Sequence, residues 1–424
     1  MKSQHQVKRP NGIIYFLIYI IFAPILKILF RIRIDRDGLH LPKSGFIVMC
    51  NHTSFIDFLF VMLALYPYRF NAVTAKKYFY FKPLHRLLPY MGCIPKSLFD
   101  PDMNAVKAMG SVLRRGDHIL IFPEGRCSVD GNYAGMNKAT GKLVKVYRAP
   151  VIGCQIQGAY NCMPFWRDIK KFRLGRVHIQ VRTILSEEDV LDQNVDEINH
   201  TIDRFFKSEA FSLNRKSLKV FRKYKLTEGL NQILYYCPVC HSEYTLECKG
   251  NAIFCTNCSS QATMDAYQKL VPSGRHKGTQ EKHLPGSVHE WYRAQVLYEH
   301  KHLSEDMEKI VIPVMMKSYG EIGEGIIDAG AGTLSFDAKG WYYEGSYFGN
   351  TLSLFFPIDT VPALPFDAGD NFQINANGMY LQFTPENKQS CAKYATLGEC
   401  AHWRFAQNIQ LTAPDDIGFN ECNF

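Results

Sequence analysis

The sequence predicts an α/β domain on a mostly parallel sheet, then a small four-cysteine module, then a β-rich C-terminal domain. Three observations carry this. Short apolar runs at 45–50, 70–75, 118–122, 151–156 and 177–181 alternate with helix-type stretches at 55–66, 103–115 and 138–147. Runs apolar on both faces belong to buried strands, and their alternation with helices belongs to a parallel sheet. Two C-x2-C pairs, Cys237/Cys240 and Cys255/Cys258, stand close together farther along. From 309 to 424 short alternating segments punctuated by Gly, Asn, Asp and Pro predict an antiparallel barrel or sandwich.

The composition sets outer bounds. At 424 residues the chain is long enough for several domains, and 46% hydrophobic with 21% charged residues is a globular balance. A mean hydropathy of −0.16 excludes a polytopic membrane protein. The formal net charge of +9 favours anionic partners such as phosphates, lipid surfaces or acidic carriers. Thirteen cysteines, an odd count with one tight cluster, indicate reduced thiols and a metal site rather than a disulfide framework. The expected setting is therefore a reducing one.

Taken in order, residues 1–37 are read as a membrane-associating segment. IIYFLIYIIFAPILKILF at 13–30 is almost wholly apolar, interrupted by Pro24 and Lys27 and flanked by basic residues on both sides. No small-residue cleavage site follows it. The geometry predicted is a helix kinked at Pro24 that dips into one leaflet from the cytoplasmic face, basic ends at the headgroups. Residues 38–212 form the α/β domain and 213–231 a basic linker helix (NRKSLKVFRKYK). The cysteine module spans 232–262, a linker and helix 263–308, and the β-rich domain, to which no chemistry is assigned, 309–424.

The chemistry-bearing residues follow two of the predicted strands. GFIVMC runs into NHTSFID at 51–57, and HILIF runs into PEGRCS at 123–128. In open α/β sheets ligands gather beyond the carboxyl ends of strands, so the two clusters are expected to share one site. His52 and Asp57 lie about 140° apart on an ideal helix and cannot touch there. They meet only if His52 is in the loop and Asp57 in the first helical turn, with Thr53 or Ser54 as N-cap. Asp57 would then hold the imidazole tautomer that leaves the other nitrogen free to take a proton. No G-x-S-x-G nucleophile accompanies the pair, which points to general-base activation of a substrate hydroxyl or of water. Arg126 suits a phosphate.

With NHTSFID followed by FPEGR, the chain resembles the glycerolipid acyltransferases, the family of the lysophosphatidic acid acyltransferases, whose signatures are NH-x4-D and FPEG. KKY through Pro83 followed by GCIPK (92–96), and APVI (149–152) with Gly158, resemble two further family stretches. The resemblance covers about 45–185. It implies His52 as the base and Asp57 as its orienting partner. It also implies Lys96, Glu124, Gly125 and Arg126 as residues that position a phosphorylated glycerol acceptor. The donor it implies is an acyl thioester on coenzyme A or acyl carrier protein, attacked without a covalent enzyme intermediate. The third motif departs from the usual FPEG-T-R-S, since Arg126 directly follows Gly125 and Cys127 precedes Ser128. Lys96 stands where an arginine is common. Both changes touch the acceptor-phosphate side.

The two C-x2-C pairs, 14 residues apart, offer four thiolates for one closed tetrahedral site, and the intervening YTLECKGNAIF reads as a hairpin. This resembles a zinc ribbon with Cys237, Cys240, Cys255 and Cys258 as ligands to one structural Zn2+. Cys248 and His241 are read as bystanders. Lys249 is the one basic residue between the pairs, so nucleic acid is disfavoured as a partner. The expectation is thus a membrane-associated O-acyltransferase of phospholipid biosynthesis that acts on a lysophospholipid or glycerol phosphate, 1-acylglycerol 3-phosphate foremost. The rival is a non-catalytic lipid-sensing or zinc-ribbon binding protein with an acyltransferase-like domain.

Overall fold

In the computed structural model, residues 7–207, 219–221, 224–273, 284–376 and 378–411 are described. Helix α1 (Gly12–Phe30) is capped by Asn11, whose side chain accepts from the amides of Ile13 and Ile14. It continues through Pro24 to Arg31, which takes a left-handed backbone (φ 39°) and ends it. Tyr15, Ala23, Leu26 and Phe30 form one buried stripe against the α/β domain, edge-on to Phe58 and Phe60. Another face of the helix turns outward: Ile13, Ile20, Ile21 and Ile28 are each more than half exposed.

The α/β domain follows as β1 (Arg33–Asp35), β2 (Ile47–Cys50), α2 (Asp57–Leu65), β3 (Phe70–Ala75), α3 (Leu84–Tyr90), β4 (Ile94–Lys96), α4 (Met103–Arg114), β5 (His118–Ile121), α5 (Ala139–Tyr147), β6 (Val151–Gln157), α6 (Ala159–Cys162), β7 (His178–Leu185), α7 (Glu187–Asp192) and α8 (Val195–Lys207). The sheet order is β1-β7-β6-β2-β5-β3-β4. Every adjacent pair is parallel except β6–β7. Strands β2 and β6 are buried along their whole length, which is why their sequences are continuous apolar runs. The register Met49↔Ile121 brings the ends of β2 and β5 side by side on one edge of the sheet. Ala75↔Lys96 puts the end of β4 on that same edge.

The predicted basic helix at 213–231 is not seen where the structure describes it. Residues 213–218 and 222–223 lie outside the described residues. Val220 and Phe221 donate their amides to Ala266 and Leu174 instead of to a helical turn. With those N–H groups bonded across to other segments, no i→i−4 ladder forms there. The cysteine module is a four-stranded antiparallel sheet: β8 (Leu246–Lys249), β9 (Ala252–Cys255), β10 (Gln261–Met264) and β11 (Leu270–Ser273).

Helix α9 (Val288–His302) leads into β12 (Ile310–Tyr319), β13 (Ile326–Asp337), β14 (Gly340–Tyr347), β15 (Asn350–Pro357), β16 (Phe366–Asp367), β17 (Asn371–Ala376), β18 (Met379–Pro385) and α10 (Cys391–Ala401). These strands form one open antiparallel sheet, β15-β14-β13-β12-β18-β17-β16, and neither a barrel nor a sandwich. The expected all-strand region therefore holds a helix. The inner side chains Met316, Leu334, Phe336, Trp341 and Phe372 need cover, and the Ala- and Cys-rich α10 supplies it together with α9. The same core takes in Leu246 and Ile253 of the cysteine module and Val129, Tyr160 and Trp166 of the α/β domain.

Candidate active site

The end of β2 carries Asn51, whose side chain both donates to the Ile156 carbonyl (2.9 Å) and accepts from its amide (2.7 Å). That pair anchors the following loop to β6. His52 then sits in the loop and Asp57 opens α2, 3.0 Å apart between Nδ1 and Oδ2. Asp57 is fully buried. It accepts three more hydrogen bonds: from the amides of Thr53 (2.6 Å) and Ser54 (2.8 Å) and from the Ser54 hydroxyl (2.5 Å). The N-cap residue is Ile56 and not Thr53 or Ser54. The carboxylate of Asp57 gathers these donors itself, so the Ser54 hydroxyl donates to it rather than capping the helix. A carboxylate fixed by three other donors holds the imidazole rigidly.

The loop after β5 meets His52 from the other side. Glu124 Oε1 accepts from the His52 amide (2.7 Å), Oε2 accepts from the Ala134 amide (3.0 Å), and the Ser128 amide donates to the His52 carbonyl (2.7 Å). Burial pushes the Glu124 carboxyl up to about 7 against the pull of those two amides. Gly125 makes the turn with φ +71°, a conformation that glycine adopts without strain. The imidazole stacks on Phe122 with centroids 4.3 Å apart. Cys127 Sγ lies 3.3 Å from Nε2 and 3.5 Å from Nδ1. A sulfur nearly equidistant from both ring nitrogens lies over the face of the ring. Burial disfavours the imidazolium, but Cys127 and Asp57 favour it more, so His52 holds its proton well above the usual histidine range.

The residues expected on the acceptor side separate. Lys96 lies at the end of β4, partly buried, with Nζ donating to the Ser97 carbonyl (3.1 Å). Desolvation lowers its pKa against the pull of Asp102 and Asp100. Arg126 is engaged by the C-terminal domain. Its guanidinium forks onto Glu399 of α10, with Nη2–Oε2 at 2.9 Å. In this structure the guanidinium expected at the acceptor phosphate is paired with a buried carboxylate. Glu399 lies 273 positions away, and no local signal pointed to it. Cys127 was visible only as a departure from the motif. A cleft of about 460 Å3 opens beside the site between Phe55, Phe165, Lys171 and Asp367.

In the cysteine module the Sγ atoms of Cys237, Cys240, Cys255 and Cys258 all lie within 4.8 Å of one another. The Cys237–Cys258 and Cys240–Cys255 separations are 3.8 and 3.7 Å. A tetrahedron with Zn–S bonds of about 2.3 Å has edges of about 3.8 Å, which these two separations match. The backbone agrees: the amides of Val239 and Cys240 serve Cys237, and those of Asn257 and Cys258 serve Cys255. Such N–H···S bonds hold thiolates in place around a metal.

Residues 33–157 match the family model described as Acyltransferase, so the chain carries an acyltransferase domain. Over 171 residues it is 22% identical to the 1-acyl-sn-glycerol-3-phosphate acyltransferase of Bacillus subtilis (strain 168), covering 38% of this chain and 84% of that protein. Over 138 residues it is 27% identical to the chloroplastic 1-acyl-sn-glycerol-3-phosphate acyltransferase BAT2 of Brassica napus. That match covers 31% of this chain and only 39% of the plant protein. The crystal structure of the 1-acyl-sn-glycerophosphate acyltransferase from Thermotoga maritima aligns with a TM-score of 0.38 at 18% identity, over 47% of this chain and 80% of that one.

Proposed function

We propose that this chain is a membrane-associated O-acyltransferase acting on a lysophospholipid, with 1-acylglycerol 3-phosphate the acceptor that its relatives' names favour. The donor in this reading is an acyl thioester on coenzyme A or acyl carrier protein. The observation that carries it is the 3.0 Å His52–Asp57 pair, with Asp57 fixed by three further donors.

The chemistry follows from that arrangement. In the neutral form of His52, reached as pH rises through its raised pKa, Nδ1–H donates to Asp57 and Nε2 carries the lone pair. The acceptor hydroxyl gives its proton to Nε2 as its oxygen attacks the thioester carbonyl, and the electron pair of the C=O bond moves onto oxygen. Collapse of that tetrahedral oxyanion breaks the C–S bond, and the departing thiolate takes the proton back from Nε2. Asp57 stabilises the imidazolium between the two transfers. Cys127 lies over the ring face and not at its edge, which favours direct attack over an acyl-cysteine intermediate.

Lys96 is the cation proposed for the acceptor phosphate. Strand β4 lies three positions from β2 in the sheet, about 14 Å at the usual strand spacing. The long lysine side chain, a glycerol phosphate and the His52 side chain together can bridge that span. Glu124 and Gly125 shape the floor of the site by holding the β5 loop against the His52 backbone. The exposed apolar faces of α1 support a helix lying in a lipid surface, where Lys27, also exposed, can reach the headgroups. The four cysteines would hold one structural zinc, which leaves no open coordination position for catalysis.

The test is to incubate the full-length protein with acyl-CoA or acyl carrier protein thioesters and a panel of lysolipids and glycerol 3-phosphate, and to read products by mass spectrometry. A new acylated lipid that disappears with His52→Ala is expected and would name the acceptor. No transfer with any pair, from folded and zinc-loaded protein, would overturn the reading in favour of a non-catalytic lipid-binding protein.

A further inference from the structure

The loop after β5 is held on its far side by the C-terminal domain. Arg126 forks onto Glu399 of α10, and both side chains are mostly buried, 13% and 6% exposed. Four residues on, Asp130 accepts from His289 Nδ1 at 2.7 Å, in the first turn of α9. Val129 between them lies in the core shared with those helices. The neighbours of these anchors in sequence are the groups that touch His52: Glu124 at its amide, Cys127 over its ring, Ser128 at its carbonyl. One short stretch of chain thus has two faces, one on the imidazole and one on α9 and α10. A backbone this short cannot move relative to α10 without moving relative to His52.

We propose that Glu399 is a positioning residue for acyl transfer: its fork to Arg126 sets the β5 loop against His52 and makes the α9/α10 pair part of the catalytic unit. The proposal rests on the reading of His52 as the base. A two-pronged guanidinium–carboxylate pair fixes orientation as well as distance, which a single contact does not. Helix α10 is itself held, because Lys393 pairs with Glu243 of the cysteine module at 2.6 Å. Trp291 of α9 donates to the Tyr236 carbonyl, beside the first knuckle, at 2.8 Å. The C-terminal domain then has a function that its own sequence does not declare.

The experiment uses the full chain with Arg126→Met, Glu399→Gln and the double variant Arg126→Met/Glu399→Leu. Either single change strands a buried partner and can unfold the interface. The double replaces the pair by apolar groups of similar size and is expected to keep the fold. For the double variant kcat is expected to fall on the order of 10–100-fold with acceptor KM nearly unchanged, since displacement of a catalytic group by about 1 Å costs rate on that scale. The singles, where folded, are expected to lose kcat as well, because each breaks the same pair and also leaves one buried charge without it. Amide hydrogen exchange at 122–130 is expected to quicken in the double variant.

A rise in acceptor KM with Arg126→Met at unchanged kcat would overturn the proposal and return Arg126 to the acceptor phosphate. So would a folded double variant with wild-type kcat, or with wild-type exchange across the loop. If wild-type protein transfers no acyl group at all, the functional reading fails. The exchange measurement then decides by itself: unchanged protection overturns the coupling of Glu399 to the loop, and lost protection upholds it.

Discussion

Asp57→Asn isolates the charge of the orienting carboxylate from its geometry. Oδ2 accepts from His52, Thr53 and Ser54, and Oδ1 from the Ser54 hydroxyl. An asparagine oxygen can occupy the Oδ2 position and keep all three N–H donors. Its amide then faces the Ser54 hydroxyl, which can rotate to accept. The ring stays in place while the imidazolium loses its counter-charge. A hydrogen bond to a charged group contributes about 1.5–3 kcal/mol, so kcat should fall by roughly 10- to 150-fold with little loss of thermal stability. Asp57→Ala, by contrast, orphans two buried amides at about 1–3 kcal/mol each and should lower stability by about 2–6 kcal/mol as well. The sign of the pH effect is fixed too. Asp57 helps to raise the His52 pKa, and the base acts when neutral, so activity appears as pH rises through that pKa. Removing the charge lowers the pKa and moves the acidic limb of kcat/KM to lower pH. The assay is a pH–rate profile for acyl transfer beside thermal melts. An Asp57→Asn enzyme with wild-type kcat and an unmoved acidic limb would refute the reasoning.

Cys127→Ala should shift the same acidic limb to lower pH, because Cys127 also raises the His52 pKa, and should leave kcat within about tenfold if no acyl-cysteine forms. Loss of activity beyond about a thousandfold, with an acylated Cys127 found by mass spectrometry in the wild type, would point to covalent catalysis. Cys255→Ser should reduce bound zinc, measured by elemental analysis, from one equivalent and should lower the melting temperature, since structural zinc contributes directly to folding. Unchanged metal content would exclude this cluster as the site. Ile20→Asp with Ile28→Asp, both on the outward face of α1, should reduce co-sedimentation with anionic vesicles by tenfold or more without changing the melting temperature. Equal binding by the variant would separate α1 from any membrane role.

The strands, their order of apolar runs and the two motifs at their ends were legible in the sequence because they are local. A strand buried on both faces must be continuously apolar, and a loop that bears chemistry must interrupt it with polar residues. The His52–Asp57 pair was legible for the same reason, since five residues of chain can turn back only in a loop-to-helix junction. The four cysteines declared their cluster by spacing alone, because two tight turns and a hairpin suffice to bring the sulfurs together. The fate of Arg126 was not legible. Its partner stands on a helix that exists to cover the inner face of a sheet more than two hundred positions downstream, and nothing near Arg126 in sequence encodes that packing. The same is true of the sulfur over His52, which depends on β2 and β5 being neighbours in register and on the loop between Glu124 and Ser128 being drawn toward α10. What the sequence determined by itself was which groups are present and which strand ends present them. Which of those groups meet at His52 and which pair with another part of the protein was decided by tertiary structure, because a charge is directed by the partner that packing brings within reach.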